Sequence, residues 1–241
     1  MSTARSAVST RLVDCRPHEA FVAGHLPGAI NLDPEADLTG EIGDASRGRH
    51  PLPETEALAA AFGRAGIDAK TFVLAYDDGS GWAARCWWLL RHLGHDQAGT
   101  FDSRAYTGRR ASGETITKPA QFVARERSDD TIGAEEILNR LSDPALVLLD
   151  ARSPERWRGD TEPLDPVAGR IPGARNAFFE RPLLETMLDA PELAAYCGSG
   201  VTAAVIVQRA VLAGRADIRL YPGSFSEWCR RDNYPIEKGA S

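Results

Sequence analysis

Short apolar runs of strand length alternate along this chain with longer amphipathic runs of helix length. Residues 71–76 and 193–196 are strand-like runs, and each leads directly into a glycine-containing turn. Helical patterns follow these turns over residues 82–93 and 202–213, and a glycine stands directly behind each pattern. Strands that alternate with helices predict an α/β fold with parallel sheets that are flanked by helices.

The same series of motifs occurs twice. Residues 12–31 contain Leu-Val-Asp-Cys-Arg and then Gly-His-Leu-Pro-Gly-Ala-Ile-Asn, while residues 148–176 contain Leu-Leu-Asp-Ala-Arg and then Gly-Arg-Ile-Pro-Gly-Ala-Arg-Asn. Copies this similar predict two domains of one fold. The polar segment between them is read as a linker. We therefore expect a first domain over residues 1–105, a linker over 106–133 and a second domain over 134–241.

The two copies differ at the turn that follows the strand of residues 71–76 or 193–196. Asp77 stands in the first copy where Cys197 stands in the second, and Cys197 opens the loop Cys-Gly-Ser-Gly-Val-Thr. A sulfur placed over backbone N–H groups and at the start of a helix is favoured as the reactive thiolate. Gly198 and Gly200 allow the tight curl that such a loop needs. The alternative is a buried structural cysteine, which is a common role for this residue.

Composition and charge narrow the class of protein. A formal net charge of −6 provides no basic field, so a nucleic-acid partner is not expected. The longest uncharged stretch, residues 193–208, is broken by glycines, and residues 1–8 lack the apolar core of a secretory signal. The four cysteines form no Cys-x-x-Cys pair, which is typical of a reducing compartment. We expect a cytoplasmic protein without a membrane segment, a metal or a cofactor.

Together with Tyr-Pro-Gly-Ser-Phe-Ser-Glu-Trp at residues 221–228, these motifs make residues 9–237 resemble the tandem-rhodanese sulfurtransferases. The resemblance implies a five-stranded parallel sheet flanked by helices in each half. It also implies that the first domain is catalytically silent, in agreement with Asp77, and that the second domain carries the active cysteine.

The resemblance further implies a two-step sulfur transfer. The Cys197 thiolate attacks the sulfur donor and becomes a persulfide, and a thiol, cyanide or a thioredoxin-like protein then accepts the outer sulfur. Inward-pointing N–H groups stabilise such an anion without a metal. The residues expected to supply these groups are Gly198, Ser199, Gly200, Val201 and Thr202. The Thr202 hydroxyl either caps the helix or donates to the sulfur.

The loop sequence bears on the choice of donor. Within the family, Cys-Gly-Ser-Gly-Val-Thr is typical of enzymes that act on 3-mercaptopyruvate, whereas basic loops accompany thiosulfate. Similar enzymes bind the donor carboxylate with two arginines, and the first of these corresponds to Arg156. The second falls within residues 164–166, where there is no arginine, and Arg170 is the expected substitute. A solvated surface arginine is the alternative for Arg156.

A second expected element is a proton relay. The segment Gly-Arg-His-Pro-Leu-Pro at residues 48–53 matches the family's interdomain segment. The resemblance implies a relay of Ser199, His50 and a carboxylate, which is either Asp33 or Glu35. Such a relay polarises the donor carbonyl or passes a proton to the leaving group, as suits a group that titrates near neutrality. A merely solvated histidine is the alternative for His50.

A departure from the family pattern keeps other functions open. Fewer residues separate Pro172 from Cys197 than separate Pro27 from Asp77, so the second domain is expected to be abridged and its lead-in strand poorly supported. Low activity, or a non-catalytic module that carries persulfide to a partner, is therefore the alternative to an enzyme. A cysteine phosphatase is excluded because Ala203 occupies the position where such enzymes place an arginine.

Overall fold

The computed structural model describes residues 9–43 and 45–239. The described residues form two compact units, which comprise residues 9–38 and 53–126 in the first and residues 39–43, 45–52 and 127–239 in the second. The segment 39–52 therefore belongs to the second unit although it precedes most of the first. The expectation about a secretory signal concerns residues 1–8, which lie outside the described residues.

The first unit is a parallel α/β sheet with the strand order β2-β1-β3-β4. The strands β1 and β3 pair along six residues each, so the centre of the sheet is formed by its two longest strands. A single-turn 3-10 helix spans Ser103–Ala105, and His25 pairs with Ala111 in an isolated bridge. The elements are β1 (Ser9–Asp14), α1 (His18–Ala23), β2 (Ile30–Asn31), α2 (Thr55–Arg64), β3 (Thr71–Tyr76), α3 (Trp82–His92) and β4 (Ala98–Thr100).

The second unit repeats this arrangement with the strand order β6-β5-β7-β8, again all parallel. Single-turn 3-10 helices span Ala45–Arg47 and Glu185–Met187. The elements are α4 (Ala134–Asn139), β5 (Leu146–Asp150), α5 (Pro154–Arg158), β6 (Arg175–Asn176), β7 (Glu192–Tyr196), α6 (Ala203–Leu212), β8 (Arg219–Leu220) and α7 (Ser224–Trp228). In the described part of the chain, no helix has both the length and the apolar character that crossing a bilayer requires.

The predicted α/β class with two parallel sheets is confirmed, but each sheet has four strands within the described residues rather than five. In the second unit, an additional edge contact is limited to one bridge between Thr131 and Leu220. It extends no further, since Gly133 lies two residues beyond Thr131 and α4 begins at Ala134. The turn into a helix leaves no residues to continue a ladder.

The second unit is abridged, as expected. The helix α2 lies between β2 and β3, whereas only the 3-10 helix Glu185–Met187 lies between β6 and β7. The expectation that β7 is poorly supported is nevertheless wrong. All five residues of β7 pair with β5, and β8 pairs on its other side. The strand is central in its sheet, so its neighbours hold it without a further helix.

The repeated sequence motifs correspond to repeated hydrogen bonds. The Asp150 carboxylate accepts bonds from the backbone N–H of Arg152 at 2.9 Å and from its guanidinium at 2.6 Å, and Arg152 also donates to the Gly169 carbonyl at 2.8 Å. Both side chains are buried, so this ion pair compensates the desolvation of each charge. The first unit repeats these contacts with Asp14, Arg16 and Gly24.

The Asp77 loop of the first unit is filled by its own carboxylate. The backbone N–H groups of Gly79, Gly81 and Ala83 donate to Asp77 at 2.8, 2.9 and 3.0 Å. These groups precede or begin α3, so the negative charge lies where the helix dipole favours an anion. The carboxylate takes the place that a ligand or a sulfur anion would take in such a loop.

Asp77→Ala should therefore destabilise the first unit. The substitution leaves three N–H groups without their acceptor and removes an anion from a helix start, which costs about 2 kcal/mol. Denaturant unfolding followed by circular dichroism measures this change. The neighbouring exposed Asp78→Ala is the matched control, with an expected effect within about 0.5 kcal/mol. Equal effects of the two substitutions would contradict the assignment.

Candidate active site

The loop that opens with Cys197 holds its sulfur close to backbone N–H groups. The strand β7 ends at Tyr196, and α6 begins at Ala203. The Cys197 Sγ atom is buried and accepts from the N–H groups of Ser199 at 3.4 Å and Gly200 at 3.1 Å. Gly200 has φ +79°, a conformation that favours glycine. Aligned N–H dipoles next to a sulfur favour negative charge on it.

The segment that follows β8 holds the Cys197 loop in place through hydrogen bonds to its backbone. The Cys197 N–H donates to Ser224 Oγ at 3.1 Å, and the N–H groups of Phe225 and Ser226 donate to the carbonyls of Cys197 and Gly198 at 3.0 and 2.9 Å. The motif at residues 221–228 therefore shapes the cysteine loop through the backbone. Its aromatic residues Phe225 and Trp228 are fully buried in the core of the second unit.

The segment 39–52 brings a histidine to the loop. The Arg49 N–H donates to Ser226 Oγ at 3.1 Å, and His50 Nδ1 lies 2.8 Å from Ser199 Oγ. Gly48 turns the chain immediately before these residues with φ +84°. Ser199 and His50 are thus in hydrogen-bonding contact, which is the geometry that a proton relay requires.

The two carboxylates considered as the third member of the relay belong to the first unit. Asp33 accepts N–H bonds from His18 at 2.8 Å, Glu35 at 2.9 Å and Ala36 at 3.0 Å, so it organises a local turn. Glu35 is exposed. The choice between them stays a prediction.

Arg156 faces the cysteine loop. Its guanidinium donates to the buried Glu162 through Nε at 3.1 Å and through Nη2 at 2.6 Å. A Cβ atom built on Gly198 would lie 3.3 and 3.5 Å from Nη2 and Nη1 of Arg156. The Glu162 carboxylate therefore holds the positive charge of Arg156 next to the Cys197 loop. The Arg156 side chain is 17% exposed.

Arg170 has a different set of partners. Its side chain is 1% exposed, pairs with Glu237, donates to the Gly239 carbonyl at 2.6 Å and stacks over Trp157 at 4.0 Å. These contacts tie the chain end at residues 237–239 to the second unit. These contacts are structural, and the expected role of Arg170 toward the donor stays a prediction.

The Thr202 side chain does not cap helix α6, which was one of the two roles expected for it. Thr202 is the N-terminal flanking residue of α6, and its side chain makes no capping hydrogen bond. The capping alternative is therefore not realised. The N–H groups of Ala204 and Val205 instead bond to the carbonyls of Val201 and Thr202 at 3.1 Å.

Sequence reasoning missed four residues beside the loop, namely Arg49, Glu162, Asp165 and Arg230. Asp165 is fully buried and pairs with Arg49, and Arg230 also donates to it at 2.9 Å. Glu162 accepts from Arg152 at 3.2 Å as well as from Arg156. Arg49 was visible in the segment 48–53, directly before His50. The two carboxylates lie in a polar loop whose sequence carries no signal of burial.

A buried sulfur over main-chain N–H groups, at a strand end and beside arginines, defines an α/β protein with a cysteine-centred anion loop. A sequence profile of the Rhodanese-like domain matches residues 2–103 and 133–231. The chain therefore belongs to the rhodanese-like family and carries two copies of its domain. The resemblance stated from the motifs is confirmed.

Individual relatives agree with this assignment. A protein of Pseudomonas aeruginosa named "Probable 3-mercaptopyruvate sulfurtransferase" is 38% identical and covers 91% of this chain and 86% of its own. A protein of Mycobacterium tuberculosis named as a candidate thiosulfate sulfurtransferase is 35% identical, with 97% and 90% covered. The solved 3-mercaptopyruvate sulfurtransferase from Leishmania major has a TM-score of 0.76 at 26% identity, with 95% and 72% covered. The chain is an enzyme of the sulfurtransferase class.

Two glycines near the loop should respond differently to alanine. Gly48 has a positive φ, and a Cβ atom at this position would lie 2.6 Å from the Gly223 carbonyl oxygen. Gly48→Ala should therefore lower the free energy of unfolding by about 1–3 kcal/mol. At Gly198, φ is not positive and the nearest atoms to the new Cβ belong to two arginine side chains rather than to the backbone, so Gly198→Ala should cost less. Thermal unfolding of both variants measures the difference, and the reverse order would contradict this account of the segment 48–50.

Proposed function

We propose that the protein transfers sulfur from 3-mercaptopyruvate to a thiol or cyanide through a persulfide on Cys197. The observation that carries this proposal is the position of Cys197 Sγ, 3.1 and 3.4 Å from two backbone N–H groups in a loop that Arg156 faces. The Asp77 loop of the first unit is occupied by its own carboxylate, so the chemistry is assigned to the second unit alone.

In the first step, the Cys197 thiolate attacks the sulfur of 3-mercaptopyruvate. An S–S bond forms while the C–S bond of the donor breaks, and its electron pair passes to the carbon as the enolate of pyruvate. The thiol proton of the donor ends on that carbon, which yields pyruvate and a Cys197 persulfide anion. Atoms and charge balance without an external oxidant or reductant.

The residues around the sulfur have separate roles in this step. The N–H groups of residues 198–202 stabilise the thiolate and then the persulfide anion, with no reorganisation needed at the moment of reaction. The Ser199 hydroxyl donates to the carbonyl oxygen of the donor, where negative charge develops as the enolate forms. The thiol proton released by the donor passes to His50, 2.8 Å from Ser199 Oγ, and through the Ser199 hydroxyl to the enolate, where it ends on the carbon of pyruvate.

In the second step, the acceptor removes the outer sulfur. A thiol becomes a persulfide, or cyanide becomes thiocyanate, as its bond to the outer sulfur forms and the S–S bond to Cys197 breaks. The electron pair of that bond regenerates the Cys197 thiolate. A thioredoxin-like protein is a suitable acceptor because it presents a thiolate of the required kind. We place the reaction in the cytoplasm, where thiols stay reduced, without a nucleic-acid or membrane partner.

Thiosulfate is the second candidate donor, and the name of the Mycobacterium tuberculosis relative favours it. The same attack on its outer sulfur would release sulfite. Ser199 adds no cation to the loop for a sulfonate group, which favours the keto acid. A carrier that holds persulfide for a partner without turnover is distinguished by the steady-state rate with cyanide.

The intact mass of the protein after exposure to 3-mercaptopyruvate tests the proposal. We expect the gain of one sulfur atom, reversed by cyanide, and loss of that gain in Cys197→Ser. Cys229→Ser is the matched control, since burial raises the pKa of the Cys229 thiol and makes it a poorer nucleophile. Cys15→Ser and Cys86→Ser should also retain the gain. A persulfide that still forms in Cys197→Ser would overturn the assignment.

Arg156→Ala should raise the KM for 3-mercaptopyruvate by about 10- to 100-fold, because a charge-assisted hydrogen bond to the donor carboxylate is lost. The KM for thiosulfate should rise less. Initial rates with both donors measure the split, and Arg158→Ala on the same helix α5 is the control for losing a cation nearby. Equal rises in both KM values would remove Arg156 from carboxylate recognition.

A further inference from the structure

We propose that Arg49, held in place by the buried Asp165, binds the carboxylate of the donor together with Arg156. This inference rests on the proposed function and adds to it a specificity-determining pair built from two distant parts of the chain. Arg49 precedes β3 and Arg156 lies in α5, yet both guanidiniums approach the cysteine loop.

The first support is convergence. A Cβ atom on Gly198 would lie 2.8 Å from Nη2 of Arg49 and 3.3 Å from Nη2 of Arg156. Gly198 directly follows Cys197, so both positive groups meet beside the residue whose sulfur is proposed to react. The missing side chain at Gly198 leaves the room in which they approach. Two cations held this close together repel each other, so they need anions to hold them there.

The second support is the way in which Arg49 is held. Its Nη1 pairs with Asp165, whose side chain is 0% exposed, while its backbone N–H donates to Ser226 Oγ at 3.1 Å. Arg156 is held in the same manner by Glu162. A guanidinium that is fixed from behind presents its other edge in one orientation, so little rotational freedom is lost when a ligand binds.

The third support is charge. Within this cluster, Glu162 and Asp165 provide two negative charges, while Arg49, Arg156 and Arg230 provide three positive charges. Arg152 is already compensated by Asp150. The arginines therefore outnumber the carboxylates in this cluster, so it is cationic beside the loop that an anionic donor must approach. Glu162 takes Nε and Nη2 of Arg156, so Nη1 of Arg156 and Nη2 of Arg49 are the edges that face a ligand at this point.

The test compares two donors that differ only in the carboxylate, namely 3-mercaptopyruvate and 1-mercaptopropan-2-one. For Arg49→Gln we expect the KM for 3-mercaptopyruvate to rise by about 10- to 100-fold, with kcat within a few-fold and the KM for the methyl ketone unchanged. Arg49→Lys, which keeps the charge, should recover part of the loss. Arg231→Gln is the matched control because Arg231 pairs with Glu227 outside this cluster, and its KM for the keto acid should change less than about twofold.

Two results would overturn the inference. One is an unchanged KM for 3-mercaptopyruvate in Arg49→Gln. The other is an equal rise for both donors, which would mean that Arg49 only supports the loop. Persulfide formation from the methyl ketone, read by intact mass, shows in each variant that the cysteine loop is assembled. Failure of the wild-type protein to form a persulfide with either donor would instead refute the proposed function itself.

Discussion

A ring of main-chain N–H groups at the end of a central strand is the constraint on which both units depend. Such a ring needs an anion, because several aligned donors without an acceptor are costly to bury. The first unit fills its ring with the Asp77 carboxylate, and the second places Cys197 Sγ there. The same backbone design is therefore a closed structural turn in one unit and a reactive site in the other, and one side chain makes the difference.

Buried carboxylates organise the charges around the second loop. Glu162 and Asp165 are almost completely buried, and a buried anion persists only with cationic partners. They draw Arg49, Arg156 and Arg230 into one cluster, and the cluster in turn holds the segment that carries His50. The acidic residues at positions 162 and 165 thus determine where the basic residues lie. For this reason the loop that opens with Cys197 is surrounded by positive charge although it contains no basic residue of its own.

The abridged second unit shows what supports a catalytic strand in this fold. No counterpart of α2 lies between β6 and β7, yet β7 pairs with β5 along its whole length and with β8 on its other edge. Parallel pairing and buried side chains such as Ala195 and Tyr196 hold the strand directly. The missing helix therefore removes surface from the unit without disturbing the strand that presents Cys197.

By itself, the sequence determined the α/β class, the doubled architecture and the membership of the rhodanese-like family, because these follow from local periodicity and from motifs repeated along the chain. The Asp-x-Arg pairs are local contacts of the same kind, which is why both copies form them. The tertiary structure alone decided which cations meet at the loop. Arg49 and Asp165 are 116 residues apart, so no local pattern relates them. The burial of Asp165, which requires a cationic partner, exists only once the chain has folded, and it brings Arg49 to the cysteine loop, while Arg170 pairs with Glu237 instead.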